Sequence, residues 1–217
     1  MSAHKRFRFK TLQQLRDEVE ALGLDLEFDE DLSPLRQPVQ IGPHRTPNAL
    51  IVHPMEGCDG ERDGRPGELT IRRYERFARG GSGLLWFEAT AIEHAGRANP
   101  RQLTLTPETL PHLKAMLEHS LDLAREANGA AFRPMTVLQL TFSGRYSKPD
   151  GVPAPVIAHH DGVLDKVLGI PEDHPLITDD ELETLRDRFV EAARLARDAG
   201  FDAIDIKSCH RDRKSVV

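Results

Sequence analysis

The chain has 217 residues, of which 39% are hydrophobic, and a formal net charge of −6. This length and composition suffice for one sizeable core, and the interspersed acids and bases argue against a nucleic-acid-binding surface. Every apolar run is shorter than the roughly 18 residues of a membrane span, and the N-terminus is charged, unlike a signal peptide. We therefore expect a globular cytoplasmic protein with neither nucleic acid nor a membrane as its partner.

The N-terminal region is expected to carry no chemistry. A helical pattern with apolar residues on one face begins at Thr11 and ends at Gly23. Residues 24–48 are acidic and then rich in proline, which predicts an extended lead-in. We accordingly assign residues 1–40 to an N-terminal helix and lead-in.

Four apolar runs alternate with helical patterns along the rest of the chain. The runs predict buried strands at residues 49–52, 83–87, 135–145 and 201–206. Alternating strands and helices are typical of a parallel sheet in an α/β fold. The four repeats predict a (β/α)₈ TIM barrel that is truncated after about the fourth strand.

The helices between these strands carry recognisable end signals. Thr70 is predicted to cap the first, and the second should cover about residues 107–127 with a break at Pro111. Thr178 and Glu181 form the capping-box pattern of the third. A long proline-rich loop, 147–177, precedes that helix, and a loop of this length is expected to cover a site.

Polar residues follow each strand, at the end where barrel enzymes keep their chemistry. These segments together resemble the Old Yellow Enzyme family of FMN-dependent NAD(P)H oxidoreductases, particularly its 2,4-dienoyl-CoA-reductase-like and ene-reductase-like members. The resemblance runs from about residue 36 to residue 210. Its motifs are Asn48 with His53-Pro54-Met55, Gly83-Leu84 through Glu88-Ala89-Thr90, residues 139–145 (Gln-Leu-Thr-Phe-Ser-Gly-Arg) and residues 202–210 (Asp-Ala-Ile-Asp-Ile-Lys-Ser-Cys-His).

The resemblance implies a flavin site built from these strand ends. FMN would be the cofactor and NAD(P)H the reductant, and the substrate would be a small molecule such as an enone or an enoyl thioester. Lys207 and His210 would be catalytic and hold the substrate carbonyl oxygen, on which negative charge develops during hydride transfer. The resemblance places six residues at the cofactor: His53, Pro54, Met55, Glu56, Ala89 and Gln139.

Two of these cofactor residues have side chains with an expected effect on the flavin. The Gln139 amide offers both a donor and an acceptor, which suits the pyrimidine edge of the ring. Glu56 stands where family members often carry Thr or Cys. Its negative charge is expected to disfavour the anionic reduced flavin if the side chain points inward.

Other interpretations of the same residues remain open. Lys207 could be a Schiff-base lysine of another TIM-barrel enzyme such as an aldolase, or a solvated charge at a strand end. Gln139 could satisfy backbone groups, and His210 could be a surface histidine. No metal site is expected, and the sequence leaves the formation of a homo-oligomer open.

The end of the chain carries its own expectations. By the same resemblance, residues 41–211 are expected to be the first half of an FMN-binding barrel. Residues 212–217 (Asp-Arg-Lys-Ser-Val-Val) resemble translated sequencing-adapter sequence. We expect this tail to be an assembly artefact, and a genuine frameshift is the alternative. The family's proton-donor tyrosine, which usually follows the position of His210, is absent. We therefore expect the 217-residue chain to be an inactive fragment of an oxidoreductase.

Overall fold

The computed structural model describes residues 7–208. Two compact units divide between Pro34 and Leu35. The first contains helix α1 (Leu12–Ala21), and the Thr11 side chain accepts a hydrogen bond from the Gln14 amide at its start. The predicted helix is confirmed, with the threonine cap satisfying an amide that has no partner within the helix.

The second unit opens with an antiparallel hairpin of β1 (Val39–Ile41) and β2 (His44–Thr46). Sequence analysis predicted only an extended lead-in here. Proline lies before, between and after the two strands, where the ladder needs no amide donor. The prolines therefore border the hairpin without interrupting it.

Four parallel strands form the main sheet: β3 (Ile51–Val52), β4 (Leu84–Ala91), β5 (Met135–Thr141) and β6 (Ala203–Ile206). They pair in chain order, so β3 and β6 are the outer strands. All four predicted strands are confirmed. The third ends four residues earlier than predicted, because the backbone turns into a short 3₁₀ helix there.

Helices α2 (Glu68–Arg79), α3 (Leu110–Asn128) and α5 (Asp179–Ala199) connect these strands, with a short α4 (Leu164–Leu168) inside the long loop before α5. The capping box of Thr178 and Glu181 at the start of α5 is confirmed. Within residues 7–208, no helix is long and apolar enough to cross a membrane.

Two predicted helix features are wrong. Thr70 lies inside α2, which begins after Gly67, and its hydroxyl donates to Asp59 Oδ1 at 2.7 Å. Pro111 does not break α3, because it lies in the first turn, where the missing amide hydrogen has no partner within the helix to lose.

The two faces of the sheet have different environments. Leu85, Phe87, Leu138 and Leu140 pack in the large core that includes residues of α2, α3 and α5. The opposite face carries a small cluster of Leu84, Met135 and Val137, packed against Trp86 and Ala203. Side chains two residues apart share a face of a strand, so Gln139 and Asp205 continue this inner face beyond Val137 and Ala203. Polar groups thus occupy the carboxyl end of the inner face.

Candidate functional site

Gln139 is held in a defined orientation at the carboxyl end of β5. It pairs in register with Asp205 of β6, and its Nε2 donates to Asp205 Oδ2 at 2.6 Å. The side chain is buried, and within residues 7–208 its Oε1 makes no hydrogen bond. One amide hydrogen and the carbonyl oxygen therefore stay available to a ligand.

Lys207 follows β6 and forms an ion pair with Glu56, which follows β3. The Lys207 backbone amide extends the ladder by donating to the Leu140 carbonyl at 2.9 Å, and its Nζ lies 2.8 Å from Glu56 Oε1. The partners are 151 residues apart in sequence. Since β3 and β6 are the outer strands, this pair joins the two sides of the sheet at its carboxyl end.

The segment after β3 exposes its side chains. His53 is exposed, and Met55 is 73% exposed. The Met55 amide donates to the His53 carbonyl at 2.9 Å. The next amide, that of Glu56, makes no hydrogen bond in the described part of the chain. This short turn presents main chain at the same end of the sheet as Gln139.

A buried network around Glu88 fixes the next part of this loop. Glu88, in the second half of β4, is 1% exposed, and its carboxylate accepts from Arg73 Nη2 at 2.8 Å and from the Gly57 amide at 3.0 Å. Arg73 also donates to Asp59 Oδ1 at 2.8 Å. The Tyr74 hydroxyl accepts from the Glu88 amide at 2.7 Å. Helix α2 and the loop are therefore joined through one carboxylate.

Burial determines the electrostatics of this network. Desolvation raises the pKa of Glu88 despite the opposing charge of Arg73. It also raises the pKa of Tyr74, with a further contribution from Glu88. Arg73 packs so closely on Gly57 that a Cβ there would lie 2.1 Å from its Nη2, and Cys58 adopts a φ of +50°. The loop is held in a conformation that most side chains avoid.

Ala89 is fully buried, and its carbonyl accepts a hydrogen bond from Gln102 Nε2 at 3.0 Å. Gln102 also accepts from the Ala98 amide at 2.6 Å. The Gln102 side chain therefore connects the loop after β4 to the backbone of Ala89. Ala89 follows Glu88 within β4, and its place beside a flavin stays a prediction.

The long loop 147–177 is fastened to the end of β5 by a buried charge. The Arg145 side chain is fully buried, pairs with Asp165 in α4 and donates to the His159 carbonyl at 2.7 Å. His160 Nδ1 lies 2.8 Å from the other oxygen of Asp165. The loop is therefore built around its own ion pair, and its role as a cover for a site stays a prediction.

The structure brings together Glu56, Gln139 and Lys207 from three separate strand ends. His210 and Cys209 lie outside the described residues. Sequence analysis did not single out Glu88, Arg73 or Asp205 as site-building residues. An acidic residue within an apolar strand was a usable signal for Glu88 and Asp205, because a buried charge needs a partner. Among residues 7–208, no cluster of His, Cys, Asp or Glu could hold a metal ion.

The described strands, their connecting helices and the polar strand ends define a class of protein. Parallel strands connected by helices, with polar groups gathered at their carboxyl ends, are the architecture of (β/α)₈ barrel enzymes. The family model of the NADH:flavin oxidoreductase / NADH oxidase family matches residues 34–211, and the chain belongs to this family. Family membership implies FMN as the cofactor and NAD(P)H as the reductant.

Individual relatives agree with this family. The chain is 30% identical over 166 residues to an NADPH dehydrogenase of Halalkalibacterium halodurans, a match that covers 75% of this chain and 44% of the relative. It superposes with a TM-score of 0.63 on the Old Yellow Enzyme homologue from Zymomonas mobilis, at 22% identity over 79% of this chain and 47% of the other. A mutant of morphinone reductase in complex with tetrahydroNAD gives the same TM-score and identity, and the match covers 82% of this chain and 50% of the other.

The chain thus spans about half the length of the relatives it matches. The structural neighbours are TIM barrels of the Old Yellow Enzyme type, and the four parallel strands correspond to part of such a barrel. The predicted fold class is confirmed.

The side chains at the strand ends fit a flavin ring. The ring edge carries both donors and acceptors, and Gln139 has one N–H and one carbonyl oxygen that make no hydrogen bond within residues 7–208. The Glu56 amide adds a donor at the same end of the sheet. These donor groups are the ones that would hold FMN.

Proposed function

We propose that the protein is an FMN-dependent NAD(P)H oxidoreductase of the ene-reductase type, acting on the activated C=C bonds of enones or enoyl thioesters. The observation that supports this most strongly is the meeting of Glu56, Gln139 and Lys207 at one end of the sheet. The name of the NADPH dehydrogenase relative supports the choice of reductant.

Bound FMN would supply hydride transfer from NAD(P)H to the carbon β to the substrate carbonyl, and a proton from solvent at the α carbon would complete the reduction. Lys207 then has a defined task. Its ammonium group carries three donors, of which one is used on Glu56, so two remain to hold the carbonyl oxygen as it gains negative charge. His210 would act with it, and Gln139, fixed by Asp205, would orient the ring.

The Schiff-base alternative has less support. Formation of a Schiff base requires a neutral lysine that is free to attack a carbonyl carbon. Lys207 Nζ instead donates to a carboxylate at 2.8 Å. Borohydride trapping with a carbonyl substrate would reveal an aldolase-type lysine, and we expect no trapping on Lys207.

The test uses the protein expressed from its complete gene, reconstituted with FMN and desalted. We expect flavin absorbance to remain with the protein, and anaerobic NADPH oxidation to exceed one equivalent per flavin only when an enone or enoyl thioester is added. Absence of flavin absorbance after reconstitution would contradict the proposal. The 217-residue chain, tested beside it, is expected to be inactive, and turnover by that chain would show that its own strand ends suffice.

A further inference from the structure

The ion pair of Glu56 and Lys207 joins opposite charges across the carboxyl end of the sheet. Glu56 follows one outer strand and Lys207 follows the other, and their charged atoms are 2.8 Å apart. Within residues 7–208, each side chain makes its only hydrogen bond to the other. Within the described part of the chain, each charge therefore has the other as its hydrogen-bonded partner.

Solvent reaches this pair only in part. The Lys207 side chain is 10% exposed and that of Glu56 is 21% exposed. Charges in such a setting act over several ångströms with less screening than in bulk water. Removing one partner would leave a net charge that a nearby ligand experiences, whereas removing both would not.

Flavin reduction changes the charge at this location. A hydride carries two electrons and one proton, so its transfer from NAD(P)H leaves NAD(P)⁺ and adds one negative charge to the flavin. An unpaired Glu56 would oppose that charge, and an unpaired Lys207 would favour it. From the sequence alone, we could expect only that Glu56 opposes the negative charge of the reduced flavin, because Lys207 lies 151 residues away.

We propose that Glu56 and Lys207 act as a matched pair that sets the reduction potential of the flavin, with Lys207 cancelling the effect of Glu56. This rests on the proposed function, because it requires flavin at these strand ends. Glu56 then positions Lys207, and the two opposite charges together leave the site close to neutral. The flavin can therefore accept a hydride there.

The experiment measures the reduction potential of bound FMN in Glu56→Gln, Lys207→Met and the double variant, using the protein expressed from its complete gene. Glu56→Gln should raise the potential and Lys207→Met should lower it. Each change should alter the ratio of the dissociation constants of reduced and oxidised FMN about tenfold, the size expected for one unit charge a few ångströms from the ring. The double variant should return close to the wild-type value.

A distant ion pair provides the matched control. Arg79 and Glu126 lie 3.4 Å apart on the surface between α2 and α3. Arg79→Met and Glu126→Gln should leave the potential unchanged. A merely structural tether would change the unfolding free energy of the single variants without moving their potentials in opposite directions.

The outcomes separate this inference from the function on which it rests. Bound flavin with unchanged potentials, or with both single variants shifted the same way, would overturn the inference and leave the proposed function standing. Wild-type protein that retains no flavin would overturn both.

Discussion

Two glutamates near the carboxyl end of the sheet, Glu88 and Glu56, pair with cations in different ways. Glu88 is buried, and its carboxylate is bonded to Arg73 and to the Gly57 amide. Glu56 is partly exposed and bonded only to Lys207 within the described residues. The first carboxylate joins a helix to a loop, and the second faces a surface where a ligand can reach it. Similar ion pairs thus have different surroundings, one joining a helix to a loop and the other lying where we propose that a ligand binds.

The largest contrast is expected in stability. Arg73→Met leaves the Glu88 carboxylate buried without its cation, which should lower the unfolding free energy by about 3–5 kcal/mol. Lys207→Met should cost less, because Glu56 is more exposed than Glu88 and can gain water. Urea unfolding measures both. Arg76→Met, an exposed position one turn along α2, is the control, and equal losses for Arg73 and Lys207 would remove the distinction.

Flavin affinity, unlike stability, should depend on the polar residues at the strand ends. Gln139→Leu removes the amide that Asp205 orients, and should weaken FMN binding by about 1–3 kcal/mol because polar groups of the ring lose their partners. Titration with FMN measures the loss. Gln40→Leu, on the exposed hairpin strand β1, should bind as wild type does. Unchanged affinity in the Gln139 variant would mean that the ring binds elsewhere.

The pH dependence of stability should distinguish Glu88 from an ordinary surface carboxylate. Because burial raises its pKa, the folded protein holds this proton more tightly than the unfolded chain does. The stability it contributes is fully present below the ordinary glutamate pKa and is lost as the pH rises through the raised value. The unfolding free energy of wild type minus that of Glu88→Gln should therefore decrease across this window.

Acidic groups whose pKa is lowered in the folded protein are present in both the wild type and Glu88→Gln. Their contributions therefore cancel in the difference between the two unfolding free energies. Burial opposes the ionised form of Asp202, but hydrogen bonds from Arg133 and Thr136 outweigh it and hold the pKa of Asp202 below its ordinary value. Its stabilising effect is lost as the pH falls through that lower value. A difference curve that stays flat above the ordinary glutamate pKa would contradict the role of burial at Glu88.

The smallest expected effect concerns Cys58, which lies between the two glutamates in sequence. Burial raises the pKa of its thiol, and the charges of Glu56 and Glu88 raise it further. In a Cys209→Ser background, Cys58 is the sole thiol of the chain. Glu56→Gln should move the alkylation midpoint to lower pH, whereas Glu68→Gln, on the exposed start of α2, should not. An unmoved midpoint would place the Glu56 charge away from this loop.

The elements that the sequence predicted are those with local signals. The four strands follow from apolar runs, and the start of α5 follows from a capping box within four residues of chain. The hairpin of β1 and β2 was missed because its prolines suggested irregular chain, although they only border it. Thr70 was misassigned because a threonine near a helix start can also serve a neighbouring loop, here through Asp59.

The partners within the site could not be predicted in this way. Arg72, Arg73 and Arg76 are chemically alike, and only the three-dimensional packing of α2 selects Arg73 for Glu88. Glu56 and Lys207 meet although β4 and β5 lie between the strands that they follow, and no local pattern encodes this contact. The resemblance to a family supplied positions for the site residues, and the structure supplied their partners.

Binding of a flavin at the carboxyl ends of these strands is tested most directly by the fluorescence of Trp86. It is the sole tryptophan of the chain and packs on the inner face of β4 against Leu84, Met135 and Val137. Adding FMN to the apoprotein expressed from the complete gene, with any tryptophan outside these 217 residues replaced by phenylalanine, should quench the Trp86 fluorescence saturably, with one flavin per chain, since flavin absorbs where tryptophan emits. Unchanged Trp86 emission together with a protein that remains colourless after desalting would contradict the account.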